Sequence, residues 1–294
     1  MQHKASKTLV TAESQQDLWR FAVPQIALSH EFLLHGLLAI SSLHLGYTHP
    51  EKRTACNTVS TRHKRLALEQ YSTQFHQLNR ENSPAYILLA SLIFKIQFFA
   101  IADAHKHGRP LTVHDIAHSL LLSQAAATIF TVPSIRAWAR SSPLHAILHT
   151  DAAPPAALPP PSAFTTHLDE LASLAQTADE RAAVAALRVA HAVAADAHAG
   201  DSVWLWPVTA TRGYLEAVGR GEAVAVAVLA HFAALARGFE EGWVVEGWSE
   251  AVAAAVEGAL DDDGAWRARV AWPLRCVREG VDVVGGTAEA FGWG

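Results

Sequence analysis

Histidines, an acidic triplet and tryptophans are the residues of this 294-residue chain whose types and spacing could do chemistry; there are 17 of the first and 9 of the last. His114 with His118, and His145 with His149, stand four residues apart, so on a helix both imidazoles of a pair leave from one face, as metal ligands do. A metal needs a third donor. Asp115 faces away from the first pair, Asp103 is cut off from it by a Gly-Pro break, and there is no His-Glu-x-x-His run. Both pairs therefore read as surface or hydrogen-bonded histidines, and no metal ligand is assigned. Asp261, Asp262 and Asp263 could hold a hard cation against a diphosphate, since clustered carboxylates suit magnesium. Followed at once by Gly264 and Trp266, they read instead as an acidic loop closing a helix. The chain has no Gly-x-Ser-x-Gly elbow, no P-loop, and no Gly-x-Gly-x-x-Gly after a strand. No catalytic residue and no cofactor is assigned. His44, His231 and Glu246 are the titratable groups that could serve chemistry inside an apolar cavity, and their mutual placement does not follow from spacing.

The elements that would position these residues are helices. Helix signals recur along the chain while period-two alternation between hairpin turns is hard to find, which predicts an all-α fold. Ser29 is expected to cap a helix with Glu31 in its first turn. FLLHGLLAISSLHL is apolar on nearly every side, as for a helix buried within a bundle, and Gly46 marks its end. Pro50 opens a long amphipathic helix to about Asn79, with Val59, Leu66, Tyr71 and Leu78 among its apolar positions. Asn82 or Ser83 starts the apolar helix that runs to about Ala104, stopped by Gly108, Arg109 and Pro110. Thr112 and Asp115 stand at capping-box spacing before a helix through Phe130, and Thr177 and Glu180 do the same before an Ala-rich helix to about Ala199. Pro207 restarts the next helix.

Residues 1–16 are expected to form a disordered tail, 17–150 an N-terminal helical half, 151–164 a Pro-rich linker and 165–294 a C-terminal helical half, the two halves making one domain. AAPPAALPPPSAF (152–164) is read as non-helical because its prolines remove donors and clash with the preceding turn.

With 50% hydrophobic and 17% charged residues the chain has ample material for a core. A net charge of -5, with Lys and Arg scattered, gives no basic footprint for nucleic acid; the densest basic cluster, Thr61 to Arg65, reads as a solvated helix face. Cys56 and Cys276, far apart, support neither a disulfide framework nor a zinc site and fit a reducing compartment. The first residues contain no apolar signal-peptide core. The best membrane candidate, Tyr86 to Ala102, is interrupted by Lys95 and Gln97 and falls short of the roughly 20 apolar residues a span requires, so it reads as a core helix.

Two blocks carry a family resemblance. The first holds Trp19, Pro24 and an apolar helix with Leu33, Leu34, Leu37, Leu38, Ala39, Ser41, Leu43, His44 and Leu45. The second runs Trp204, Trp206, Pro207; Ala230, His231, Phe232; Trp243, Gly247, Trp248; and Trp272, Pro273, Leu274. In order and spacing they resemble the C-terminal regulatory domain of fungal binuclear zinc-cluster transcription factors, the sterol uptake control type in particular. The resemblance implies a multi-helix regulatory domain with a central apolar cavity, in which a lipid such as ergosterol holds the regulator inactive and its loss releases it to the nucleus. The family's six-cysteine DNA-binding module has no counterpart before Trp19, so either DNA is reached only through a module outside this chain or the chain is a regulatory-domain-only relative.

Leu37, Trp204, Leu229, Phe232, Trp243, Gly247 and Trp248 are the expected ligand-binding residues, with the turn from Gly242 to Trp248 as the mobile element, since Gly238, Gly242 and Gly247 lend backbone freedom beside aromatic walls. A sterol-sized ligand of about 28 heavy atoms at roughly -0.3 kcal/mol per atom reaches about -8 kcal/mol, near-micromolar affinity, from apolar contact. The expected partners are a sterol-like hydrophobic small molecule and a second copy of the chain. The expected location is the nucleus, with a cytoplasmic ligand-bound form. The alternative from another class is an enzyme that reuses the cavity, a cyclase or pericyclase working by shape and orientation.

Overall fold

In the computed structural model, residues 18–142, 144, 161–195, 200–260 and 263–284 are described, and among them there are thirteen α-helices and no strand. The all-α expectation holds. The expected tail, residues 145–160 with the His145 and His149 pair and most of the proline segment, the stretch before Ala199, and Asp261 and Asp262 lie outside the described residues.

Two compact units divide the chain. The first draws on the described parts of Met1–Phe99, Leu122–Leu148 and Gly242–Val244. After a π-turn at Leu18–Ala22 come α1 (Val23–Leu28), α2 (Glu31–Thr48) and α3 (Arg53–Gln74); α4 (Ser83–Lys106) lies in this unit as far as Phe99, and α6 (Pro133–Arg140) completes it. α2 packs on α3, to which the 3-10 turn Pro50–Lys52 joins it. A connection that short makes neighbouring helices antiparallel.

Several expected boundaries are corrected. Ser29 does not cap α2; it ends α1, its N–H bonding the carbonyls of Ala27 and Ile26, and His30 in extended conformation is the residue before α2. Gly46 does not end α2, which continues to Thr48. Its role is close approach: a Cβ there would lie 3.0 Å from Cys56 Cβ and 3.3 Å from Arg53 Cα on α3. The helix opened at Pro50 stops at Gln74, with a 3-10 turn to Gln77, short of Asn79, because Asn79 turns the chain instead, its side chain accepting from the N–H groups of Glu81 and Asn82. Val59, expected among the apolar contacts, is 43% exposed.

Ile87, Leu88, Leu89, Leu92 and Ile93 of α4 are fully buried: by length and composition it is the one described helix long and apolar enough to span a membrane, and 78% of its most apolar stretch is covered by protein. The polar interruption that the sequence showed has a partner, because buried Gln97 Oε1 accepts a hydrogen bond from Lys64 Nζ at 2.9 Å. Burial lowers the Lys64 pKa. Tyr71 Oη donates to the Ala126 carbonyl at 2.9 Å and Tyr86 Oη to that of Gln74 at 2.8 Å, so the ring cluster of Phe32, Tyr71 and Tyr86 leaves no hydroxyl unsatisfied.

The second unit takes in Ala100–Leu121, the described parts of His149–Glu241, and Val245–Gly294. α5 (Val113–Ala127) starts here, its first turn closed by Thr112 and Asp115 as expected: Thr112 N–H reaches Asp115 Oδ2 at 2.9 Å and Asp115 N–H reaches Thr112 Oγ1 at 3.2 Å. It ends at Ala127, with a 3-10 turn carrying on to Thr131. α7 (Ala163–Leu174) begins two residues inside the stretch read as non-helical, because Ser162 and Thr165 form a capping box just beyond the prolines. α8 (Ala178–Ala194) starts at the expected Thr177 and Glu180 box and stops short of Ala199. Then come α9 (Trp206–Thr209), restarted at Pro207, α10 (Arg212–Gly219), α11 (Ala223–Ala236), α12 (Trp248–Ala259) and α13 (Gly264–Glu279). Asp263 caps α13 by accepting from the N–H groups of Ala265 and Trp266.

α11 is the hub. Every residue from Val224 to Ala236 is buried, and α7, α8, α10, α12 and α13 pack around it. A helix apolar on all sides has to be enclosed in this way, and its alanines let the neighbours come close.

Candidate functional site

The expected ligand residues fall into two groups. In the second unit Trp204, Phe232 and Trp248 come together: the Trp204 and Trp248 rings meet edge to face at 5.4 Å, and Phe232 lies 6.2 Å from the first and 5.5 Å from the second. Leu229, fully buried, sits one helical turn before Phe232 on α11. Leu37 and Trp243 belong to the first unit, where Leu37 packs half-buried against the core and Trp243 contacts Phe99 at 5.0 Å, His44 at 5.1 Å and Tyr47 at 5.8 Å. Trp243 and Trp248, five residues apart, are thus anchors of different units.

Two residues of the Trp204 group escaped the sequence reading as site residues. Trp206 stacks on Phe232 at 4.4 Å and donates its Nε1–H to the Ala183 carbonyl of α8 at 3.2 Å. Tyr214 meets Trp206 at 5.6 Å and donates to the Ala225 carbonyl of α11, and burial, with the Glu180 carboxylate adding to it, pushes its pKa well up. Trp206 stood in the Trp-x-Trp-Pro block; nothing local said which indole would face α11.

The three glycines before α12 differ in conformation. Gly242 and Gly247 take positive φ, at 87° and 83°, whereas Gly238 lies in a right-handed 3-10 turn. Gly247 stands before the first residue of α12 and offers no side chain to cap it, so the cap comes from Glu240: its carboxylate accepts from the N–H of Gly247 at 3.2 Å and from that of Ser249. Arg237 bonds the same carboxylate at 2.7 Å.

Of the candidate titratable groups, His44 belongs to the first unit and His231 and Glu246 to the second. Glu246 pairs with Lys106 Nζ at 2.8 Å and is half-exposed. His231 lies inside the second unit, and burial brings its pKa down to about 4, so it is neutral at physiological pH. His44 is in the first unit against Trp243, its pKa also lowered by burial. His114 turns its Nδ1 towards the Gly219 carbonyl at 3.4 Å, and among the described residues no group of three or more His, Cys, Asp or Glu side chains is placed to hold a metal ion. Cys56 and Cys276 are free and buried.

Around His231 of α11 lies a cluster that the sequence did not single out as a site. His231 has His167 at 5.6 Å, Trp272 at 6.0 Å and Phe164 at 6.2 Å; His167 stacks on Trp272 at 4.5 Å and His191 on Phe164 at 4.5 Å. His167 and Trp272 are half-buried, while His191 and His231 are buried.

Residues 2–143 match the family described as the fungal specific transcription factor domain. No curated protein and no solved structure matches the chain. The matched stretch contains the block from Trp19 to Leu45 and ends before the block from Trp204 to Leu274. Covering just under half of the chain, it is a likeness to the general family of fungal transcription regulators.

Proposed function

We propose that the chain is the ligand-responsive regulatory domain of a fungal zinc-cluster transcription factor of the sterol uptake control type, with a hydrophobic, sterol-like small molecule as effector. The observation that carries this reading is the match of residues 2–143 to the fungal transcription factor domain. The apolar surroundings of α11 are compatible with the ligand part of it: Trp204, Phe232 and Trp248 are buried rings packed beside a helix of small residues, the residue types that apolar ligand sites use. A ligand there acts only by binding two conformations with different affinity, and the turn from Gly242 to Trp248, joined to α12 through Glu240, is the element we assign to that change. DNA is reached through a module outside this chain, a second copy of the chain is the proposed protein partner, and the ligand-bound form is held in the cytoplasm.

The test is a reporter. With the chain fused to a heterologous DNA-binding module in a fungal cell, depletion of cellular sterol changes reporter output severalfold; output indifferent to sterol supply would remove the ligand part of the proposal.

A further inference from the structure

His231 and His191 each use one ring nitrogen and leave the other without a partner. A carbonyl oxygen can only accept, so the 2.8 Å contact of His231 Nδ1 with the Ala227 carbonyl puts the proton on Nδ1 and a lone pair on Nε2. By the same reasoning the 3.1 Å contact of His191 Nε2 with the Val283 carbonyl leaves a lone pair on Nδ1. Both acceptor atoms are buried and without a hydrogen-bond partner, and the two side chains are 1% and 2% exposed. Buried polar atoms in folded proteins are nearly always satisfied, so an orphan of this kind points to a missing donor.

The surroundings define the donor. Nδ1 of His231 is tied back to its own helix, so Nε2 points away from α11, towards the rings of Phe164 and His167 on α7 and Trp272 on α13. The half-buried pair of His167 and Trp272 forms the outer wall. Pro273, inside α13, removes the N–H that would hold the Arg269 carbonyl, which loosens the helix next to Trp272. Among the described residues no three His, Cys, Asp or Glu side chains are placed to hold a metal ion, and the lone pair on Nε2 calls for one hydrogen-bond donor. The charged residues near the cluster, Glu170, Arg188 and Asp282, belong to its rim through His167 and His191.

We infer that the cluster of Phe164, His167, His191, His231 and Trp272 is a binding site for the polar end of a neutral, flat, apolar ligand carrying one hydrogen-bond donor, an alcohol or phenol, whose O–H is accepted by His231 Nε2. The inference rests on the proposal that the second unit takes a hydrophobic small molecule, and it adds which chemical group that molecule must carry and which residue reads it.

Phenol and toluene, nearly equal in shape and different in the donor, are the probes, titrated into the full chain with ring-15N histidine detection. The expected result is that phenol binds at least as tightly as toluene and moves the His231 Nε2 resonance in the direction of an accepted hydrogen bond, while toluene leaves that resonance in place. In His231→Phe, phenol loses about tenfold in affinity, the worth of one buried hydrogen bond, and toluene changes less than twofold. If both probes bind and phenol neither moves Nε2 nor loses affinity in the variant, the anchor is wrong and the hydrophobic site stands. If neither probe binds the wild-type chain, the anchor falls together with the ligand-binding proposal. Should His231→Phe fail to fold, the wild-type Nε2 shift alone decides.

Discussion

Glu240 caps a helix that begins eight residues further on: its carboxylate, with a side chain only 4% exposed, accepts the backbone N–H of Ser249 in the first turn of α12. The same group holds the Gly247 N–H and Arg237, whose other amine reaches Glu250 at 3.0 Å. A negative charge at a helix N-terminus is doubly suited, satisfying free N–H groups and facing the positive end of the dipole.

Glu240→Ala is therefore expected to cost about 2–3 kcal/mol, since charge-assisted bonds are lost and a buried helix start is left uncapped. Glu240→Gln, which keeps an acceptor without charge, costs less. Urea unfolding gives the free energies, and amide exchange at Trp248 to Ala251 locates the loosening. A cost spread evenly over the chain, with those amides unchanged, would contradict the capping role.

The capping residues show what a sequence can and cannot disclose. The boxes at Thr112 with Asp115 and at Thr177 with Glu180 were legible because donor and acceptor sit three residues apart, and both form. The Glu240 cap was not, because it joins residues whose approach depends on the whole turn. Ser29 misled for a related reason: serine satisfies a helix start or stands at a helix end with equal ease, and the short α1 before it takes it as its end. The all-round apolar α11 could be read as buried, but not which faces meet the tryptophans. Neither spacing nor composition could send Trp243 to the first unit and Trp248 to the second, or turn Trp206 rather than Trp204 flat against Phe232.

Acid should destabilise the protein in a defined window. A buried histidine whose folded-state pKa lies below 6.5 takes up its proton more readily once unfolded, so the stability present above pH 6.5 is lost as pH falls. For His231, down at about 4, the loss runs from pH 6.5 to about 4 and amounts to about 3 kcal/mol. His167 and His191 act in the same direction, and so does His63, lowered by burial and by His35, whose Nδ1 lies 2.9 Å from its own. Urea midpoints between pH 7 and 4.5 are expected to fall, with a visibly shallower slope in His231→Phe; an unchanged slope in that variant would show that His231 is not a principal source of the acid sensitivity.

Two glycine substitutions should separate packed from open surroundings. A Cβ at Gly36 would lie 2.5 Å from Leu89 Cδ1 and 3.2 Å from Leu92 Cδ1, both side chains fully buried on α4 with no room to turn aside. Gly36→Ala should cost about 1–3 kcal/mol as overpacking. At Gly213 the obstacle is Asp179 Oδ2, the end of a short half-buried side chain that can swing away. Gly213→Ala should stay within about 0.5 kcal/mol of wild type, the better helix propensity of alanine offsetting the displaced carboxylate. Thermal or urea unfolding of the two variants side by side reads the difference, and equal costs would contradict the tight α2 to α4 contact.

The ligand proposal is tested most directly by native mass spectrometry of the full chain purified from a fungal host, with extraction and identification of whatever co-purifies. The account predicts a sterol or terpenoid alcohol at one copy per chain, reduced in His231→Phe. A chain that arrives empty and binds no member of a sterol panel would contradict it.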